Sequence, residues 1–477
     1  MPSHLPSIEE IAIITCDCLL ATPSTPHWLS SVKSLDLHSA GSLELSLLGS
    51  DSPCLMQDAK FYNFKTLLSL PKMLLSSTCL QHLDLTHIDS LAAFPADCLP
   101  TSLQSLCIHG CGDLAFLPLE TWSKYTSLVK LELGDCCDAL TSFPLNGFPV
   151  LRRLTIEGCM NLESIFILDN ASLAPSTLQS LQVIHGHALR SFPRRMDTLI
   201  ALESLTLNSL PSCCEVACLP PHLQFMHTES LRITTPLTDS GLQNLIALSD
   251  LHIEGDDNVN TLLKEKLLPI FLVSLTISNL SEMKSFKGNE LQLISSMKNL
   301  KIQACSRLES FAEDTLPSFL KSLVFEHCPE LKSLPFRLPS SLETLKFNMC
   351  PRLRLFRQYN LPSSLKLLSI RRCPMLKAWY ETHRRVHVSK IAHFPVVKID
   401  HEVIPTISGI VVYLILIIQV LHLRRVNHQR LFRLCSLRTP FTILPPFTST
   451  SFPLRYMCVF PLSSCALCHS TSTTNKL

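Results

Sequence analysis

At 477 residues the chain is too long for one ordinary globular core, yet its composition does not shift before about residue 403. The net charge of +2 hides a split: residues 403–477 carry seven Lys and Arg and no acids, leaving residues 1–402 with 34 cations against 39 anions and no electrostatic footprint for nucleic acid. Glycine is scarce at 12, and neither G-x-x-x-x-G-K-[ST] nor G-x-G-x-x-G occurs, which excludes the phosphate-cradling loops of nucleotide-binding enzymes.

Met1–Glu10 has no basic region, and the apolar run after Glu10 is broken by Asp17, so no signal peptide is expected. A strand pattern is already complete in Ile8–Cys16, with no polar cap before it. This reads as a poorly covered first turn or the rear part of something longer. The pattern returns at Val32–Leu37, loses register over Ser39–Lys60, and resumes at Leu80. A degenerate copy is expected within Asp51–Leu70 to fill the gap.

The clearest copy is Leu320–Pro335, Leu-Lys-Ser-Leu-Val-Phe-Glu-His-Cys-Pro-Glu-Leu-Lys-Ser-Leu-Pro. Counting Leu320 as position 1, apolar residues fall at positions 1, 4, 6, 12 and 15, and a cysteine falls at position 9. Positions 3–7 alternate as a strand, with 4 and 6 facing inward and 3, 5 and 7 outward. Position 1 recurs every 21 to 27 residues, from Ile8 and Val32 through Leu80, Leu103 and Leu128 to Leu342 and Leu365, about sixteen turns in all. That is the spacing of a leucine-rich repeat, whose turns bury their apolar faces only against one another. The expected fold is an α/β solenoid over residues 1–404: a leucine-rich-repeat horseshoe with a parallel concave β-sheet and a mostly irregular convex side.

Several strands are preceded by a second signature, as in Leu99-Pro-Thr-Ser-Leu103, Leu338-Pro-Ser-Ser-Leu342 and Leu361-Pro-Ser-Ser-Leu365. Proline fixes φ and removes a donor, which suits an irregular turn rather than a long helix. Brief helical turns are expected in the longer units, with Asp239–Leu248, which Asp239 could cap, and Asn260–Leu267 as the best helix candidates. Eight of the 21 cysteines (Cys16, Cys111, Cys136, Cys159, Cys305, Cys328, Cys350 and Cys373) stand at position 9. There a thiol can engage the loop backbone, so they read as a free-thiol ladder in a reducing, cytoplasmic setting. After the last clear copy comes a basic, aromatic stretch (Trp379, Tyr380, Arg384, Arg385), and Val396–Ile399 reads as the strand that closes the array.

The motif L-x-x-L-x-I-x-x-C-P-x-L-x-x-L-P, the Leu-Pro-Ser-Ser-Leu lead-ins and the ending Lys390-Ile-Ala-His-Phe-Pro-Val-Val-Lys-Ile-Asp-His-Glu-Val-Ile404 resemble the carboxy-terminal repeat region of plant nucleotide-binding leucine-rich-repeat disease resistance proteins of the coiled-coil class. The resemblance covers roughly residues 5–404. It implies recognition and autoinhibition by the repeat surface. Neither the family's coiled-coil domain nor its P-loop switch is found in the sequence, so nucleotide binding is not carried over and no cofactor is expected. The implied partners are proteins: a pathogen effector, a guarded host protein, or other resistance-protein domains.

Residues 405–425 form a hydrophobic segment, with 407–423 a candidate transmembrane helix at the lower limit of length, and residues 426–477 read as an unstructured tail. The tail has the look of a read-through or mis-spliced extension. Its Cys465-x-x-Cys468-His469 matches haem attachment only formally. Cys214, Cys218, His222 and His227 have metal-like spacing, but Pro220-Pro221 would splay them, so no metal site is expected there. No nucleophile with a matching base stands out, and the chain reads as non-enzymatic.

The expected working surface is the set of columns at positions 5 and 7: Asp84, Glu132, His252, Lys301 and Lys346 in one, and His109, Glu157, Glu254, Gln303, Glu326, Asn348 and Arg371 in the other, with Arg372 beside them. These columns drift from acidic to basic, a gradient that could orient a protein partner. The rival readings are a membrane-anchored receptor-like protein, which would use Asn170 or Asn279 for glycans, and a ubiquitin-ligase adaptor.

Overall fold

The computed structural model describes residues 9–14, 31–38, 55–168, 176–211, 218–228, 242–354, 361–383 and 396–404, apart from breaks of four residues or fewer within those stretches. The chain divides into two units, Met1–Tyr413 and Leu414–Leu477, and every described residue lies in the first. The segment 407–423, the tail, Asn170, Cys16, Asp239 and the Arg384-Arg385 pair fall outside the described residues. Among the described residues no helix is long and apolar enough to cross a membrane.

Among the described residues each turn contributes one short strand at positions 3–7, and these strands, with a closing strand and its antiparallel return, lie side by side in a single sheet of 18. Every neighbouring pair runs parallel except the last. The register does not slip: Leu323 lies opposite Leu300 on one neighbouring strand and Leu345 on the other, with Phe325 between Ile302 and Phe347. Because the side-chain period is two, this alignment puts every position 4 and 6 on the core face. Leu323 and Phe325 are fully buried, while Val324 at position 5 is partly exposed. The fold is a leucine-rich-repeat solenoid, built turn upon turn along the chain.

The degenerate copy is present as Asp58–Tyr62, paired with Ser34–His38 and His82–Thr86 and burying Ala59 and Phe61. The closing strand expected at Val396–Ile399 is present, paired parallel with Leu367–Arg371. Glu402–Ile404, which then folds back antiparallel, was not foreseen.

Two devices end and start each turn. Position 8 adopts a left-handed conformation, as in Asn63, His87, Ala304, His327 and Met349, with φ between +52° and +59° at these residues. Non-glycine residues are uncommon there, and the strain is offset because the position 8 N–H extends the ladder. Thus His87 donates to His109 O at 2.7 Å and His327 to Asn348 O at 2.9 Å. At the other end, the lead-in proline carbonyl accepts from the N–H of position 1, as in Leu342 to Pro339 and Leu365 to Pro362, both 3.1 Å. The serine just before position 1 donates to the position 1 carbonyl of the preceding turn: Ser102 to Leu80, Ser341 to Leu320 and Ser364 to Leu342, at 2.7–2.8 Å.

Position 9 is inside. Cys111, Cys136, Cys159, Cys305, Cys328, Cys350 and Cys373 are buried free thiols. In Cys111, Cys305, Cys328, Cys350 and Cys373 the Sγ donates to the carbonyl two residues earlier at 3.1–3.5 Å. Asp256 holds position 9 in its own turn and does more, because its carboxylate accepts the backbone N–H groups of Ser281, Glu282 and Met283 at 2.7–3.2 Å.

The return side is mostly loop, with 3-10 turns such as Leu119–Lys124 and Glu290–Leu293 and two short parallel ladders that pair Phe143 with Ile165 and Phe286 with Phe311. The helix placed at Asn260–Leu267 instead spans Asp256–Lys264, starting earlier because Asp256 and Asp257 sit favourably in its first turn. Of the other expected helix, the described part is a single 3-10 turn, Leu242–Asn244. An unforeseen helix, Pro374–His383, begins at a proline whose fixed φ suits the first helical position.

Candidate functional site

The outward positions 3, 5 and 7 form the open face of the sheet. Neighbouring strands bring side chains at one position within reach of each other. Twelve of the thirteen residues singled out from the sequence are at least partly exposed; the exception is Glu254, which is buried. Asp84, Glu132, His252, Lys301 and Lys346 occupy position 5, and His109, Glu157, Glu254, Gln303, Glu326, Asn348 and Arg371 occupy position 7. Arg372 stands apart from both columns, at the left-handed turn position. There it lines a shallow groove of about 530 Å³ with Ala304, His327, Met349 and Pro351.

Toward the beginning of the array the open face is acidic and already engaged. His38 stacks on Tyr62 at 4.3 Å, and Tyr62 Oη donates to Asp84 Oδ2 at 2.8 Å while Thr86 donates to Oδ1. Burial first, and then Asp84, raise the Tyr62 hydroxyl well above the ordinary phenol range. Cys107 Sγ donates to Glu132 Oε2 at 3.1 Å, and Lys130 Nζ lies 3.0 Å from Oε1. Burial, with the bond to Glu132, pushes the Cys107 thiol up to about 12, so it stays protonated. His109 is given its space by Gly134, where an added Cβ would lie 2.1 Å from the imidazole Nδ1. Further along, Glu157 approaches His185 at 3.8 Å, and Lys301 pairs with Glu326 at 2.9 Å. The last strands present Lys346, Asn348 and Arg371, partly or fully exposed.

A dense polar cluster lies mid-array, on three successive strands. His227 and His252, both at position 5, are opposite each other in the pairing, and their rings stack at 3.8 Å and 10°. Glu254 at position 7 lies diagonally below, its Oε1 3.4 Å from His227 Nε2 and 3.3 Å from His252 Nε2. Asn279 holds the other oxygen at 2.5 Å, and Ser278 Oγ is 2.7 Å from His252 Nε2. Burial opposes ionisation of Glu254, but His227, Ser278 and Asn279 outweigh it and hold the carboxyl well below the usual carboxylate range. Burial, then the neighbouring His227, lowers His252 to about 4 against the opposing pull of Glu254.

The columns expected from the sequence contain His252 and Glu254, whereas metal-like spacing groups His227 with Cys214, Cys218 and His222. Cys214 lies outside the described residues, and His222 sits exposed in the lead-in turn, whereas His227 stacks on His252. The signal that could have found this cluster was the register itself, since Leu223 at position 1 puts His227 at position 5.

No family model matches the chain. Over 280 residues it is 26% identical to a protein of Arabidopsis thaliana named as a disease resistance protein, covering 53% of this chain and 20% of that one. It is also 32% identical over 121 residues to an RPP13-like disease resistance protein from the same plant, covering 25% of this chain and 10% of the relative. The chain thus matches about a fifth or less of the length of these relatives. Among solved structures it is similar to the circular leucine-rich-repeat protein CroV588, with a TM-score of 0.32 and 15% identity over 80% of this chain and 70% of that one. It is also similar to the leucine-rich-repeat ectodomain of the Arabidopsis thaliana receptor kinase GASSHO1/SCHENGEN3, with a TM-score of 0.23 and 14% identity over 76% of this chain and 55% of that one. At those scores the assignment of the fold rests on the strand pairing described above.

Proposed function

From a chain whose leucine-rich repeats are similar to those of plant disease resistance proteins, we propose a non-enzymatic recognition solenoid that binds a protein partner through the open, concave face of its sheet. The observation that carries this reading is the open face itself: one continuous parallel sheet on which polar side chains stand in aligned columns and no slip in register interrupts them. A rigid, wide, polar surface of this kind suits a folded macromolecule better than a small substrate. The partner would be a pathogen effector, a guarded host protein or another domain of a resistance protein, met in the cytoplasm.

The acidic residues toward the beginning of the array are engaged by Tyr62, Cys107 and Lys130, whereas Lys346, Arg371 and Arg372 stand exposed toward its end. The partner's acidic patch therefore docks over the last strands, where rim charges act chiefly on association rate. The test is capture of a plant effector, guarded-protein or resistance-domain panel by the full chain, repeated with the Lys346→Glu, Arg371→Glu double variant. A partner whose association slows at least tenfold in that variant and weakens with added salt supports the reading. Equal capture by both proteins refutes docking over the last strands.

A further inference from the structure

We propose that His227, His252 and Glu254 form a zinc site on the open face of the sheet, with a fourth coordination position turned outward. Zinc takes imidazole nitrogen and carboxylate oxygen at about 2.0–2.2 Å, so a tetrahedral site needs donor atoms roughly 3.4 Å apart. Glu254 Oε1 lies 3.4 Å from His227 Nε2 and 3.3 Å from His252 Nε2. All three donor atoms fall within 4.8 Å of one another. The remaining adjustments are release of the 2.7 Å contact between His252 Nε2 and Ser278 Oγ and a tilt of the two stacked rings toward a shared point, a rotation about χ2, which is a soft torsion in histidine.

The charge balance points the same way. Glu254 has only 8% of its side chain exposed, and the groups that face it are two imidazoles, a hydroxyl and an amide. The neighbouring cation on the face, Lys301, is engaged with Glu326 at 2.9 Å. Hydrogen bonds hold the Glu254 carboxylate in place, and a divalent ion would add the full cationic partner that they do not supply. Access is retained, because His227 and His252 keep 20% and 17% of their side chains exposed.

The surrounding shell supplies a third argument. Zinc-bound histidines generally pass their second ring N–H to an oxygen acceptor that fixes the tautomer. Asn208 lies beside His227, with Nδ2 3.5 Å from Nδ1, while its own Oδ1 is buried with no hydrogen-bond partner. Turning the amide over puts that oxygen against His227 Nδ1 as an acceptor and leaves Nε2 free to bind metal. Asn279 grips the Glu254 oxygen that faces away from the two imidazoles.

The experiment uses the full chain, stripped with chelator and titrated with Co²⁺ as a spectroscopic stand-in for zinc. The wild type should bind the ion with the ligand-field bands of a tetrahedral nitrogen and oxygen site. His227→Asn and His252→Asn should lose those bands, and His222→Asn should keep them. Asn208→Ala should weaken binding by roughly 10–100-fold without abolishing it. X-ray absorption of the zinc-loaded wild type needs no variant, and should show imidazole and oxygen donors without sulfur. A sulfur shell, a spectrum unchanged in His227→Asn and His252→Asn, or no tetrahedral spectrum in the wild type would each overturn the assignment.

Discussion

Replacing Leu323 by alanine tests the whole architecture at one residue. Leu323 is completely buried at position 4, flanked across the sheet by Leu300 and Leu345. Removing three carbons forfeits about 2.4 kcal/mol at roughly 0.8 kcal/mol per methylene. A residual cavity of roughly 50 Å³ adds about 1.2 kcal/mol at ~24 cal/mol per Å³. The expected loss is therefore about 3–4 kcal/mol, read as a lowered urea midpoint in the circular dichroism of the full chain. Val324→Ala is the internal control, one residue away on the other face, and should cost less than about 1 kcal/mol. If Val324→Ala instead lowers the midpoint more than Leu323→Ala, the strand is out of register by one residue and the inner and outer columns are exchanged.

Asp256→Ala should cost on the order of 1–3 kcal/mol at neutral pH, because three backbone N–H groups of the next turn lose a charged acceptor. Burial opposes ionisation of Asp256, but those N–H groups prevail and hold its carboxyl below the ordinary value. Its stabilisation is therefore complete above the unfolded-state pKa and vanishes as pH falls through the folded one. The gap between wild-type and Asp256→Ala urea midpoints should close in acid; a gap independent of pH would show that the charge is not involved. Ala304→Gly should raise thermal stability by up to about 1 kcal/mol, since Ala304 sits at φ +52° where glycine is unstrained. A clear loss would mean that the left-handed turn is not the native one. Cys328 and Cys350, their thiols each pushed up to about 12, first by a hydrogen bond with the preceding ladder cysteine that favours the protonated form, should resist alkylation in the native protein, while the partly exposed Cys79 reacts first. Mass spectrometry showing equal labelling of the three would refute the buried ladder.

Most of the fold was legible because a solenoid repeats its instruction. Leu320, Leu323, Phe325 and Cys328 carry a pattern that recurs, so even the weak copy at Asp58–Tyr62 could be placed by interpolation between Val32 and Leu80. The helices were harder. Pro374-Met-Leu376 reads equally well as the start of another loop, and only the helical spacing beyond it reveals Pro374–His383. Asp256 replaces the usual cysteine, and that substitution shifts the start of its helix.

The candidate site was legible as columns but not as partnerships. His227 and His252 are 25 residues apart, and nothing local marks them as neighbours. Stacking of consecutive turns brings them into ring contact. The same holds for Lys301 with Glu326 and Cys107 with Glu132, pairs that a column listing treats as separate presentations to solvent.

The unslipped alignment of leucine opposite leucine makes each junction between turns nearly interchangeable with the next. A gene encoding such a chain can gain or lose a whole module by unequal recombination and still give a product whose turns stack. Length, and with it the extent of surface offered, then becomes heritable variation that leaves the hydrophobic interior unchanged.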